Sequence, residues 1–343
     1  MAKTLLGIDI GTESLKLMLI SGTQIKKTAI APMPRNLVQN GAITSKETLA
    51  ELIRTTMKTH DIRCRQAAVS MNSRAIFVRR VTMPLMNEAQ LLYNLPYEFR
   101  DYITGELEQY VFDYAMITTP EALAQQEQNA QANPDAEQRY TMDLLAVAVS
   151  AELMESLRET IRMAGMKLVK AAPVVSSLLP LIDRLNSIQQ PAVKEYAVLD
   201  LGRSSVRLYM FRETEYMTSR VIETGLSALE EMIAEAYHVD THLAHTYLLN
   251  NHENCQYHEA CMELYQQIAV EVMRVLNFYL FSNRDSELHD VWVYGGGAAI
   301  VPLMEALREQ LDAVLHSAAE LYGQIIADEE NAAFVQAYGI TQD

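Results

Sequence analysis

Residues 5–20 read LLGIDIGTESLKLMLI, and a single carboxylate interrupts what is otherwise an apolar strand. Leu5, Leu6, Gly7 and Ile8 suit a buried strand, yet Asp9 follows directly. An unpaired buried carboxylate is costly, so Asp9 needs a partner or a wet site. The same pattern returns in residues 196–211, YAVLDLGRSSVRLYMF, offset by 191 (200 minus 9). Asp200 then lies on Asp9, Gly202 on Gly11, Ser205 on Ser14 and Arg207 on Lys16. Each copy reads as strand, Asp-x-Gly turn, second strand. Glycine lets such a turn close tightly and lets a ligand approach the main chain. Successive N–H groups there form an anion-binding nest, to which Thr12, Ser14, Ser204 and Ser205 add hydroxyls. Asp9 and Asp200 suit a hydrated magnesium ion, which takes one or two carboxylates. Two such hairpins face to face would grip a polyphosphate and its metal, in a cleft between related halves.

A third glycine site supports the same reading. Residues 291–297, VWVYGGG, run a strand into Gly295, Gly296 and Gly297, and Pro302 then suits the first turn of a helix. Three bare glycines leave room for a flat adenine ring or ribose on the backbone. Upstream, Ile268, Val272, Val275, Leu276 and Tyr279 share helical spacing, so one face packs inward. Glu271 and Arg274 stand three apart on that helix, placed either for a ribose and adenine or as a solvated pair.

Composition narrows the class of partner. The chain has 343 residues, 49% of them hydrophobic and 21% charged, enough for a sizeable core. Its net charge of −16 argues against a nucleic-acid partner, whose phosphates it would repel. Cys64, Cys255 and Cys261 are few and scattered, as in a reducing compartment. Asp9 and Glu13 break any signal-peptide core, and no apolar run reaches the ~18–20 residues of a membrane span. A cytosolic protein without a transmembrane segment is expected.

Two Asp-x-Gly turns and a glycine-rich strand end, in this order, resemble the actin-like ATPase superfamily. Residues 77–103 (FVRRVTMPLMNEAQLLYNLPYEFRDYI) and 143–169 (DLLAVAVSAELMESLRETIRMAGMKLV) are similar to segments of its PilM branch, of type IV pilus assembly. RVLNFYLFSN and the closing AAFVQAYGI also sit where PilM proteins have similar words. The resemblance implies an α/β fold of duplicated, ribonuclease-H-like halves around a nucleotide cleft, with an FtsA-type insertion. It divides the chain into residues 1–82 plus 164–192, an inserted subdomain at 83–163, and a second half from 193 to 343. The variable subdomain of that second half falls at about 226–266.

It also implies ATP with Mg2+ as cofactors. The first phosphate loop would be Asp9, Gly11, Thr12, Ser14 and Lys16, and the second Asp200, Gly202, Ser204 and Ser205. The implied partner is the cytoplasmic N-terminal tail of a PilN-like membrane protein, held between the first and inserted subdomains. The expected place is therefore the cytoplasmic face of the inner membrane, with pilus motor or platform proteins and self-association as further expectations. A small-molecule kinase or an FtsA-like division scaffold is the alternative. Two departures bear on turnover. Val175 stands where relatives carry a polar residue that orients water, so at most weak ATPase activity is expected. Arg203 replaces a small residue and would contact a phosphate or crowd the turn.

Other constellations give further expectations. His252, Cys255, His258 and Cys261 are three apart, but in a straight helix that step drifts by roughly −60°, so the four cannot share one metal. His238, His242 and His245 read as surface residues. No acidic residue lies between Asp61 and Glu88, while Arg63, Arg65, Arg74, Arg79 and Arg80 do, either as exposed positions or as a partner or lipid face. Residues 119–139 are polar and Gln/Ala-rich and read as a mobile loop between strands.

Overall fold

The computed structural model describes residues 4–22, 24–39, 41–73, 75–132, 140–188, 195–322 and 329–342. The chain opens with β1 (Thr4–Ile10), β2 (Ser14–Ser21) and β3 (Gln24–Pro32), then a two-stranded ribbon, β4 (Val38–Gln39) and β5 (Ala42–Ile43). Helix α1 (Lys46–Thr59) starts where Ser45 Oγ accepts the Thr48 N–H, and leads to β6 (Gln66–Met71). Next come β7 (Ile76–Pro84), α2 (Glu88–Asn94), β8 (Tyr110–Met116), α3 (Pro120–Ala132) and β9 (Thr141–Ser150). Helix α4 (Ala151–Met163), β10 (Lys167–Pro173) and α5 (Val174–Ile188) complete the first part.

The remainder repeats the scheme. It runs β11 (Glu195–Leu201), β12 (Val206–Arg212), β13 (Glu215–Ile222), α6 (Ser227–Tyr237), α7 (Thr241–Asn250) and α8 (Glu259–Ser282). It closes with β14 (Asp290–Tyr294), α9 (Val301–Gln310), β15 (Val314–Ser317) and α10 (Val335–Gly339).

The duplication seen in the turns extends to the sheets. One sheet has the order β10-β6-β1-β2-β3, the other β15-β14-β11-β12-β13. In each, the strand bearing the aspartate pairs antiparallel with the next strand, β2 or β12, and parallel with a later one, β6 or β14. Strands buried on both faces read as continuous apolar runs, as β1 and β11 do. A separate sheet, β7-β9-β8, carries α2 and the turn after it, with Leu91, Leu95 and Phe99 packed on Met142, Leu144 and Ala146. Helix α4 follows β9 but packs with α1 on the core of the first sheet.

The two sheets meet at α5 and α10. One cluster there joins Met18, Ile20, Val174 and Leu178 to Tyr196, Trp292, Val335 and Tyr338. Helix α10 lies so close that a Cβ on Gly7 would sit 1.8 Å from the Ala337 carbonyl oxygen. A Cβ on Gly339 would sit equally near, 1.8 Å, to the Ser177 carbonyl. Bare backbone at both positions is what brings the last helix onto β1 and α5.

The stretch 119–139 departs from its expectation. Residues 120–132 form helix α3 rather than a loop, and 133–139 lie outside the described residues. The Ala, Gln and Glu that made the stretch look unstructured are good helix formers. Thr119 Oγ1 accepts the Ala122 N–H at 3.3 Å, Pro120 opens the helix, and Leu123 packs on the small sheet.

Gly339→Ala is expected to destabilise the protein by about 3 kcal/mol or more, because the clash is with main chain that cannot yield. Urea unfolding followed by tryptophan fluorescence measures it, since Trp292 lies in the same cluster.

Candidate functional site

Equivalent registers place the two turns alike. Asp9 lies opposite Lys16 across β1–β2, and Asp200 lies opposite Arg207 across β11–β12. Both aspartates are buried, at 4% and 7% exposure. Lys16 Nζ donates to Asp9 Oδ2 at 3.0 Å. Burial alone would lower the Lys16 pKa, but Asp9, with a further contribution from Asp200, turns the net shift upward. Burial pushes Asp200 up to about 6, and Asp9 adds to this against the pull of Lys16 and Arg207. Lys16 thus bonds Asp9 while its charge is felt at Asp200 in the other half.

The flanking groups line the same place. Gly11 N–H donates to the Ser14 carbonyl at 3.0 Å, and Thr12 and Ser14 are half-buried on the first turn. On the second, Ser204 is exposed and Ser205 Oγ accepts from Arg207 Nε at 3.4 Å. Leu226 and Ser227 N–H groups donate to the Gly202 and Arg203 carbonyls, docking the start of α6 on that turn. Gly295 takes φ +93°, and a Cβ there would stand 2.8 Å from Asp200 Oδ1, so the glycine-rich strand end abuts the second turn. Gly296 and Gly297 continue into a short 3-10 turn before α9. Glu271 and Arg274 pair with each other on an exposed face of α8, the solvated alternative left open by the sequence.

Arg203 is held by two carboxylates that the sequence did not point to. Its guanidinium reaches Glu13 at 3.0 Å and Glu230 at 2.7 Å, bridging from the second turn to the first. Glu230, on α6, is 1% exposed and also contacts His245 Nδ1 at 2.8 Å. His245 is therefore half-buried rather than a surface residue, because a buried carboxylate demands partners. His238 and His242 are exposed as expected. Arg203 also answers Glu13, Glu230 and His245 as a candidate metal cluster, since a cation already occupies their centre.

The histidine–cysteine series does not converge. Cys255 and Cys261 are buried, and burial pushes the Cys261 thiol up to about 11. His252 instead packs on the Tyr247 ring, 4.0 Å between centroids. The segment is not the straight helix assumed. Asn251, Glu253 and Asn254 take left-handed φ values and break it without Gly or Pro. Of the basic run, Arg74 lies outside the described residues. Arg79 stacks over Tyr102 at 4.0 Å, and Arg80 joins Asp143 to Glu215 of β13 at 3.4 and 2.6 Å.

Val175 is buried among apolar side chains. A polar group nearby comes from the far end of the chain. Gln336, on α10 and 4% exposed, donates to Tyr294 OH at 3.2 Å and towards Asp200 Oδ2 at 3.5 Å. Within AAFVQAYGI nothing marks this residue, because its partners lie 42 and 136 positions away.

These residues fit a hydrated divalent ion with a polyphosphate. Two acceptor carboxylates converge, a nearby cation would reverse the upward push on Asp200, and the Gly295 edge holds no side chain. The model of the type IV pilus assembly protein PilM family matches residues 7–330. This chain belongs to that family. It is similar to the solved PilM–PilN type IV pilus biogenesis complex, at 21% identity over 98% of this chain and 97% of that one, with a TM-score of 0.79. It also resembles the ethanolamine utilization protein EutJ of Carboxydothermus hydrogenoformans, with 13% identity over 98% and 89% of the two chains and a TM-score of 0.59. A Bacteroides thetaiotaomicron protein of unknown function with an actin-like ATPase fold matches at 8% identity over 100% and 97%, TM-score 0.52. The fold of this PilM-family chain is therefore the actin-like ATPase fold.

The hydrogen bond His245 makes to the Glu230 carboxylate raises the His245 pKa above its usual 6.5, with Glu13 adding to it and burial and Arg203 opposing. The stability this gives is complete below 6.5 and lost as pH rises through the higher folded value. Glu230, whose net shift is downward despite burial, stays ionised across that window. The melting temperature of the native protein is expected to fall as pH rises above 6.5 through the raised folded value, and His245→Gln to flatten that slope.

Proposed function

We propose that this chain is a nucleotide-binding adaptor of type IV pilus assembly that holds the N-terminal tail of a PilN-like membrane protein. The observation that carries the nucleotide part is the matched register of the two turns, with Asp9 and Asp200 both buried and Lys16 bonded to Asp9. In this reading Asp9 and Asp200 hold a hydrated magnesium ion, which neutralises phosphate charge when bound. Backbone N–H groups and the hydroxyls of Thr12, Ser14, Ser204 and Ser205 receive the phosphates of ATP. Lys16 is the nearby ammonium, and Gly295, Gly296 and Gly297 leave their backbone bare for the nucleoside. With Val175 apolar and buried, no side chain at that position orients an attacking water. We expect binding and closure of the halves, with at most slow hydrolysis.

The partner part is supported by the likeness to the PilM–PilN complex, and a cavity of about 30 Å³, room for one or two waters, lies between the end of β6, the β4–β5 ribbon and α4. Val38, Ile43, Leu153 and Leu157 give it apolar walls, with Ser70 and Asn72 alongside. Asn72 Oδ1 is buried there without a hydrogen-bond partner among the described residues. Such an orphan acceptor suits a main-chain N–H of an extended tail, and burying it unpaired costs free energy. No helix among the described residues is long and apolar enough to cross a membrane. Recruitment to the cytoplasmic face of the inner membrane therefore falls to the partner in this reading.

ATP with magnesium is expected to raise the melting temperature, and Asp9→Asn to remove most of that rise. An unchanged rise in Asp9→Asn would show that the nucleotide sits elsewhere. Asn72→Leu is expected to leave stability unchanged or higher, since it removes the orphan acceptor. It should weaken binding of a synthetic PilN-like tail peptide about tenfold by calorimetry.

A further inference from the structure

A buried line of hydrogen bonds runs between the two halves at the floor of the cleft. Ser177 Oγ donates to Ser70 Oγ at 2.9 Å, and Ser70 Oγ donates to Gln336 Oε1 at 3.4 Å. Gln336 Nε2 donates to Tyr294 OH at 3.2 Å and towards Asp200 Oδ2 at 3.5 Å. The five residues belong to α5, β6, α10, β14 and β11, and each is buried.

Donor and acceptor capacity fixes the direction of the line. An ionised carboxylate only accepts, so the group that meets Asp200 Oδ2 and Tyr294 OH must be the Gln336 NH2, donating to each. Gln336 must then turn its NH2 to the second half and its carbonyl to Ser70. Only a side chain with a donor and an acceptor at the same tip can join a serine hydroxyl to this tyrosine in that sense. The amide has little freedom to do otherwise, because α10 is wedged against β1 and α5 by the close approaches at Gly7 and Gly339. An apolar residue would pack in a buried helix without needing four partners, so the amide is an expensive choice for packing alone.

We infer that Gln336 is a positioning residue for Asp200, holding the carboxylate relative to the first half of the molecule, with Tyr294 OH and Ser70 anchoring its amide. The inference rests on the nucleotide-binding reading, in which Asp200 holds the magnesium ion. Its own content is that the metal-bearing carboxylate of one half is aimed by a residue anchored on the other. Gln336 touches neither the ion nor the phosphates in this account, so its loss acts through Asp200.

The test compares ATP affinity in magnesium with affinity in EDTA, by calorimetry, for the native protein, Gln336→Leu, Tyr294→Phe and the double variant. The magnesium-dependent gain is expected to fall about five- to tenfold in each single variant and little further in the double one, with affinity in EDTA unchanged. A residue that only packs would lower the unfolding midpoint and leave the magnesium gain intact, and that result overturns the inference. Tyr294→Phe removes one hydroxyl oxygen and carries the test if Gln336→Leu does not fold. A native protein that binds no ATP under either condition overturns the nucleotide reading and this inference together. A native protein that binds, with variants that keep the full gain, overturns the inference alone.

Discussion

The arrangement of this protein depends on one electrostatic problem, namely two carboxylates from different halves brought into a shared, poorly hydrated space. Two like charges in such a setting are held apart by Coulomb repulsion that water would otherwise screen. Lys16 is the group that permits their approach, paired with Asp9 and still near enough to Asp200 to be felt there. Arg207 stands in the matching register of the second half and adds its charge to the same balance. Removing the ammonium would leave both aspartates short of compensation at once.

Around that centre the halves are held together in two ways of different strength. Between the halves, Arg203 bridges to Glu13, Arg35 lies 3.5 Å from Asp240, and Arg80 bridges to Glu215. The exposed pairs among these contribute little each and weaken with salt. Beneath them, α5 and α10 share an apolar cluster with side chains from both large sheets, and that burial is not screened.

Much of this was legible in the sequence, for reasons that differ from residue to residue. The duplicated turns were visible because backbone geometry demands Asp-x-Gly locally, and the equivalent strand orders of the two sheets followed from it. The glycine triplet could be read because a missing side chain is itself the signal, and Gly295 does abut Asp200. Arg203, Glu230 and His245 could not be read, since their mutual attraction joins positions 27 and 15 residues apart through packing of α6 on α7. Gln336 was hidden for the same reason at longer range. Residues 120–132 misled in the opposite sense, because a polar composition lacking an obvious core face still had strong intrinsic helicity. The break at Asn251–Asn254 came from residues that tolerate left-handed backbone less often than glycine, which composition alone does not announce.

The return of the last helix to the first sheet has a consequence for how the polypeptide is made. Leu5 and Ala68 share a small cluster with Ile340, and Val335, Ala337 and Tyr338 fill space beside Met18 and Ile20. The first half therefore waits for residues 335–340 before its interior is complete. Until translation reaches that point, β1 presents an uncovered apolar strip on the growing chain. Contacts of such wide sequence separation form late and slowly, and leave nascent strands open to mispairing in the meantime.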